Sequence, residues 1–194
     1  MKFLKKGYYM SEILFINACI REKSRTLELA KDVLNKIGGT IEEVKINDLE
    51  LPFLDMNLIK KRDEAKYSKD FSNEMFNNAK RFAAAKNIVI AAPYWDLMFP
   101  AVLKCYLENI IINGLTFEYD INGIPKGLCN ADRLIYVTTS GGPIINNFGY
   151  DYVYSLSKTF FGIKEVKCIS AQGLDIYGAD SEKILRDAKK DISI

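Results

Sequence analysis

Five short apolar runs, each followed by a stretch able to wind into a helix, constrain the fold of this chain more than any other feature. The runs are "EILFINA" (Glu12 to Ala18), "TIEEVKIN" (Thr40 to Asn47), "NIVIAA" (Asn87 to Ala92), "DRLIYVTTS" (Asp132 to Ser140) and "EVKCISAQG" (Glu165 to Gly173). Their lengths and β-branched or aromatic content predict strands, most of them buried on both faces. Helical spacing predicts helices over Ser24 to Ile37, residues 68–85, Pro100 to Ile112, Gly149 to Phe161 and Asp180 to Lys190, while residues 48–66 read as irregular and charged. In the first helix Leu27, Ala30, Val33, Leu34 and Ile37 share a face, Ser24 can cap the start and Gly38-Gly39 ends it. Strand–helix alternation implies a parallel sheet covered by helices on both sides, since parallel strands need crossovers of one hand. Five units favour the strand order 2-1-3-4-5. The expected fold class is therefore α/β: a doubly wound five-stranded parallel sheet, three layers deep as α/β/α.

A chain of 194 residues fits one domain, expected over residues 12–194. Residues 1–11 are expected to be an extension outside the core. Residues 1–10 lack an apolar stretch of signal length, and no run of about 18 apolar residues occurs that would span a membrane. The net charge of +2 is too small to argue for nucleic acid or an anionic membrane as partner. The four cysteines, Cys19, Cys105, Cys129 and Cys168, are far apart in sequence, so no metal-ligand spacing appears, and they read as free thiols of a cytoplasmic protein. The chain contains no histidine. Histidine triads, histidine-bound metals and histidine acid–base chemistry are thereby excluded. Any catalysis must use carboxylates, thiols, hydroxyls or a cofactor.

In a sheet of this kind ligands bind beyond the carboxyl ends of the strands, where strand order reverses. Three loops lie there. "CIREKSRT" (Cys19 to Thr26) puts Ser24 and Thr26 at a helix start, with Arg21, Lys23 and Arg25 around them, and suits a phosphate monoester. A capped helix beside a solvated loop would look the same. "AAPYWDLMFP" (Ala91 to Pro100) holds the only tryptophan, with Tyr94 before it and prolines at both ends. That stiff aromatic loop suits a planar heterocycle, or else a tryptophan buried against its own domain or a partner. "TTSGGP" (Thr138 to Pro143) offers paired glycines whose backbone can approach a ligand, or simply a tight turn. Together the three fit a flavin mononucleotide, phosphate at one end and flat ring at the other.

These residues, in this order, resemble the flavodoxin-like NAD(P)H-dependent quinone reductases, and within them the FMN-dependent NADH azoreductases. The likeness runs from about residue 12 to residue 178. Ser24-Arg25-Thr26 resembles the phosphate motif, Pro93-Tyr94-Trp95-Asp96-Leu97 the ring loop, and Thr139-Ser140-Gly141-Gly142 the glycine loop. Pro100 to Lys104, Gly114 to Tyr119, Gly123 to Leu128, Phe161 to Ile163 and Ala171 to Leu174 resemble further family motifs. The resemblance implies FMN as cofactor, NADH or NADPH as donor, and a ping-pong transfer of two electrons to quinone, azo or nitroaromatic acceptors. It places FMN on Ser24, Arg25, Thr26, Pro93, Tyr94, Trp95, Asp96, Leu97, Thr139, Ser140, Gly141 and Gly142. It gives Phe117, Tyr119 and Phe161 to the substrate wall and names no certain catalytic side chain. Two positions depart from the pattern: Asp96 replaces an asparagine near the ring, and Ser140 stands where arginine is common.

Chemistry on a flavin needs stacking and distance rather than a protein base, so a chain without histidine is suited to it. The helix over residues 100–112 carries more apolar surface than one wet face allows, which implies a twofold dimer, as the family forms, with the partner completing the pocket. Packing beneath the loop 113–130 would also absorb that surface. An electron-carrier flavodoxin and a flavin-binding regulatory protein without turnover remain as alternatives. A phosphorelay receiver is excluded, because Asn17-Ala18 and Ala92-Pro93 occupy the places of its carboxylates.

Overall fold

The computed structural model describes residues 12–194; the expected extension, residues 1–11, lies outside them. Five parallel strands form the sheet: β1 (Ile13–Asn17), β2 (Ile41–Lys45), β3 (Asn87–Ala91), β6 (Arg133–Thr139) and β7 (Glu165–Ala171), in the order β2-β1-β3-β6-β7. With strands counted within this sheet, the order is the expected 2-1-3-4-5. Strand β1 is buried along its whole length, as a central strand must be. At the edge, β2 buries only Val44 fully.

Side chains alternate between two cores. Leu14, Ile16, Ile88, Ile90, Leu134 and Tyr136 share one with Phe82 of α3 (Asn77–Ala84), Leu103 and Leu107 of α4 (Ala101–Ile110) and Val153 of α5 (Phe148–Leu156). Ile13, Phe15, Val89, Ile135 and Val137 share the other with Leu29 and Val33 of α1 (Arg25–Ile37) and Leu185 of α6 (Ser181–Lys190). The period of two in each strand thus separates residues by sheet face.

Most of the segment 48–66, expected to be irregular, lies in helix α2 (Met56–Ser68), capped by the Asp55 carboxylate, which accepts from the Leu58 amide at 2.8 Å. Only Ala65 of this helix is fully buried. The helix is built from strong helix formers but has no apolar stripe, so periodicity alone does not reveal it. Lys69, with φ of 54°, ends it. The helix expected over 68–85 consequently begins only at Asn77, and Phe71 instead packs edge-on against Phe76 at 5.2 Å.

The segment 113–130 contains an antiparallel hairpin, β4 (Phe117–Tyr119) and β5 (Pro125–Gly127). Its turn is organised by Asp120, whose carboxylate accepts from the amides of Asn122 and Ile124. Gly127 lies directly against the backbone of Phe161 and Gly162, where any Cβ would overlap it. The second side of α4 meets the chain's own residues 51–52, and Arg62 of α2 reaches its backbone. Cys105 Sγ lies 3.7 Å and 3.6 Å from the carbonyls of Leu51 and Pro52. Asn109 donates to the Pro52 carbonyl at 2.9 Å, and Arg62 to the Glu108 carbonyl at 3.1 Å. The composition of α4 therefore does not by itself require a partner chain. Among the described residues no helix is long and apolar enough to cross a membrane.

Candidate functional site

Beyond the carboxyl ends of β1, β3 and β6 lies a cavity of about 220 Å³, lined by Ile20, Arg21, Lys23, Ser24, Arg25 and Thr26 from the first loop, Pro93, Tyr94 and Trp95 from the second, and Thr139, Ser140 and Gly141 from the third, with Asp175.

The first wall is shaped by the end of β1. Asn17 accepts from the Cys19 amide at 2.9 Å and donates to Glu43 at 2.8 Å, which turns the chain away from the sheet. Ser24 then caps α1, its hydroxyl accepting from the Leu27 amide at 3.2 Å, while its carbonyl accepts from the Glu28 amide. The Arg25 and Thr26 amides, earlier in that turn, have no partner within the helix and carry its positive end. Arg25 reaches across to the loop after β7, donating to the Leu174 carbonyl at 3.1 Å and to the Asp175 carboxylate at 2.8 Å. Thr26 and Thr139 join their hydroxyls at 2.6 Å.

Strand pairing continues into the second wall, where the Tyr94 amide donates to the Thr139 carbonyl at 3.0 Å. The Tyr94 hydroxyl donates to the Asn146 carbonyl at 3.0 Å, tying this loop to the one after β6. After Trp95 the chain reverses within two residues, and both of them, Asp96 (φ 49°) and Leu97 (φ 68°), occupy left-handed backbone. In the third wall Ser140, Gly141 and Gly142 accept backbone bonds from Leu174, Asp175 and Gly173. A Cβ at Gly141 would meet the Asp175 carboxylate, which would have to swing aside and loosen its bond to Arg25.

The lining carries three cations, Arg21, Lys23 and Arg25, against one carboxylate, Asp175. With the helix start, this makes the electrostatics at one end of the cavity favourable to an anion. The Cys19 thiol behind Ser24 is pushed up from its usual range, chiefly by burial, so it is not a thiolate nucleophile at neutral pH. Among the described residues no group of three or more cysteines, aspartates or glutamates is placed to hold a metal ion.

Nine of the twelve residues expected on the cofactor line this cavity: Ser24, Arg25 and Thr26; Pro93, Tyr94 and Trp95; Thr139, Ser140 and Gly141. Asp96, Leu97 and Gly142 adjoin it without lining it, and Asp96 is exposed. The residues expected on the substrate wall lie elsewhere. Phe161 is 1% exposed and packs on Phe82 at 4.5 Å; Phe117 is buried edge-on between Tyr119 and Phe160. Tyr119 is half exposed on the hairpin. Sequence reasoning missed Asp175. The signal for it is that Asp175 follows a strand at the same rim as the three loops.

A family model described as "Flavodoxin-like fold" matches residues 11–193. A protein of Coprothermobacter proteolyticus named FMN-dependent NADH:quinone oxidoreductase is 33% identical over 195 residues, covering 94% of this chain and 96% of its own. One of the same name from Clostridium beijerinckii is 34% identical over 188 residues, covering 92% and 94%. Among solved structures, an azoreductase from Bacillus anthracis superposes with a TM-score of 0.79 at 24% identity, over 92% of this chain and 94% of the other. A Bacillus anthracis FMN-dependent NADH-azoreductase in complex with FMN gives 0.75 at 24% identity, over 92% and 93%. At that identity the structures speak for the fold alone.

Proposed function

Because the chain belongs to the flavodoxin-like family of FMN-dependent NADH:quinone oxidoreductases, we propose that it catalyses two-electron transfer from NADH to quinone and azo acceptors, with FMN held in the cavity at the strand ends. The observation that carries this reading is the meeting of three separate loops, each suited to a different part of one flavin nucleotide, in a single cavity. FMN, when bound, supplies the two-electron chemistry.

The chain's residues do the rest. Ser24, Arg25 and Thr26 hold the phosphate through hydroxyls, unsatisfied amides and the start of α1. Pro93, Tyr94 and Trp95 wall the ring, with Asp96 and Leu97 at its margin. Thr139, Ser140, Gly141 and Gly142 bring backbone close to it. The α/β/α sandwich holds these walls apart at one rim. No histidine is available to move protons, so they come from solvent or from a neighbouring hydroxyl.

NADH and acceptor occupy the same space in turn, which makes the kinetics ping-pong, and nitroaromatics belong among the acceptors because a flat aromatic wall does not distinguish them from quinones. The protein acts in the cytoplasm as a twofold dimer. Exposed apolar side chains support the dimer: Phe53 just before α2, Met56 and Ile59 within it, and Ile121 and Ile124 on the hairpin. In that assembly Tyr119 faces a substrate, while Phe117 and Phe161 support the hairpin from beneath.

The test is direct. Purified protein should show the near-ultraviolet and blue absorbance of oxidised flavin, or acquire it with FMN, and should oxidise NADH with a small quinone and no partner protein. Double-reciprocal plots should be parallel, and NADPH compared under the same conditions reports donor preference. A colourless protein that FMN does not reconstitute would overturn the reading; slow NADH oxidation that needs a partner protein would make it a carrier.

A further inference from the structure

The hydroxyls of Thr26 and Thr139 lie 2.6 Å apart and are almost wholly buried, at 1% and 8% exposure. Thr26 stands in the first turn of α1; Thr139 is the last residue of β6, on the sheet face that packs against α1. Among the described residues neither hydroxyl has another hydrogen-bond partner. Two hydroxyls own two protons, and one proton is consumed between them. The other is left over, and both residues line the cavity. Two arrangements are open. If Thr26 donates to Thr139, the spare proton sits at the end of the strand. If Thr139 donates to Thr26, it sits at the positive start of the helix, among Arg21, Lys23 and Arg25.

An anion at the helix start selects the second arrangement, because only then does Thr26 present a donor to it. We infer that Thr139 is a positioning residue for the phosphate end of the site: its hydroxyl donates to Thr26 and so aims the Thr26 proton at a bound phosphate monoester. Thr139 acts through Thr26 and not on the ligand's phosphate itself. The inference rests on the proposed FMN site, and it adds that the loop beside the ring helps to set the grip on the tail.

The experiment compares FMN with riboflavin, which has the same ring and no phosphate. Thr139→Val keeps the shape and deletes the hydroxyl; Thr139→Ser keeps the hydroxyl. FMN affinity should fall about ten-fold or more in Thr139→Val, as for loss of a hydrogen bond serving a charged group. Riboflavin affinity should change by less than about two-fold, and Thr139→Ser should retain FMN affinity to within the same margin. Thr26→Val should cause a similar loss, and the double variant should lose no more than Thr26→Val alone. Equal losses for FMN and riboflavin, failure of serine to rescue, or additive losses in the double variant would overturn the inference.

Inorganic phosphate gives a readout independent of the flavin. It should raise the thermal midpoint of the wild-type protein and of Thr139→Ser but not of Thr139→Val. Wild-type protein that responds to phosphate but not to FMN would remove the flavin reading and leave the positioning role standing. Equal phosphate responses in wild type and Thr139→Val would remove the positioning role alone.

Discussion

Trp95 and Met98 exchange backbone hydrogen bonds, amide to carbonyl at 3.0 Å one way and 2.8 Å the other, with only Asp96 and Leu97 between them. Such a turn needs both central residues at positive φ, and asparagine followed by glycine is the usual solution. Here the second position is leucine at φ 68°, which places a side chain in strained backbone. Leu97 is also substantially exposed, so its burial offsets little of that strain. Leu97→Gly should therefore raise stability by about 1 kcal/mol, against the usual sign for a glycine substitution. Urea denaturation of the flavin-free protein checks this; a lower midpoint would show that the leucine contacts outweigh the strain.

The neighbouring carboxylate bears on chemistry rather than on folding. A negative charge beside the ring disfavours added electrons, so Asp96→Asn should raise the flavin reduction potential. Asp96 is exposed, so the rise should shrink as salt is added. Dye-equilibrium titrations at low and high ionic strength report both effects, and an unaltered potential at low salt would mean that Asp96 does not sense the ring.

Ser24 has two tasks that can be separated. As the cap of α1 its replacement by alanine should cost about 1 kcal/mol of stability even without ligand. With Thr26→Ala added, FMN affinity should fall by roughly 2–4 kcal/mol, for two hydrogen bonds to a charged group. Calorimetric titration of the double variant decides, and unchanged affinity would move the phosphate elsewhere.

Much of this arrangement is legible in the residues, for identifiable reasons. Sheet order follows from the spacing of buried runs such as Ile13 to Asn17 and Asn87 to Ala91, because handedness leaves few ways to connect them. The loops are legible for the same cause: the topology brings Ser24, Tyr94 and Thr139 to one rim wherever their side chains point. Helix α2 is not legible, since its stability comes from propensity and the Asp55 cap and leaves no apolar period to read. The hairpin escapes notice because its strands are three residues each, too short for alternation to register. The position of Asp175 after a strand at this rim is legible, but its pairing with Arg25, a contact 150 residues apart in sequence, is not.

Stability should depend on pH in an unusual way. Without histidine, no side chain has an unperturbed pKa that titrates between about pH 5 and 8, so stability should be flat there. Burial pushes the thiols of Cys129 and Cys168 up to about 12, and the phenols of Tyr106 and Tyr136 upward as well. Each folded-state value lies above its unfolded one, so the native state holds protons that the unfolded chain gives up. Stability is thus complete below the unfolded thiol pKa of about 8.5 and is lost as pH rises from there toward 12, by as much as ~1.4 kcal/mol per pH unit for each thiol. Urea midpoints from pH 6 to 11 should show a plateau and then a decline. Cys129→Ala with Cys168→Ala should delay the decline; an unchanged alkaline limb would assign it to the phenols.

Gly127 is the tightest point of the hairpin. A Cβ there would enter the backbone of Phe161 and Gly162, which cannot yield as a flexible side chain would. Gly127→Ala should lower stability by about 1–3 kcal/mol, the range for overpacking a close contact, and should lift the hairpin from the turn after α5. Hydrogen exchange of the amides of residues 117–127 would report the lifting, and wild-type protection would show that the contact tolerates a methyl group.

The reach of Arg25 to the loop after β7 has a consequence for biogenesis. The guanidinium belongs to the first loop, while the groups that anchor it, Leu174 and Asp175, are made 149 and 150 residues later. Until synthesis has passed residue 175 and the last sheet strand has joined, the cavity lacks both its anchored arginine and the Ser140 backbone that Ala171 and Leu174 hold in place. On the proposed flavin reading, nucleotide loading should follow synthesis of the last sheet strand rather than seed collapse, and a product truncated before residue 165 should emerge colourless.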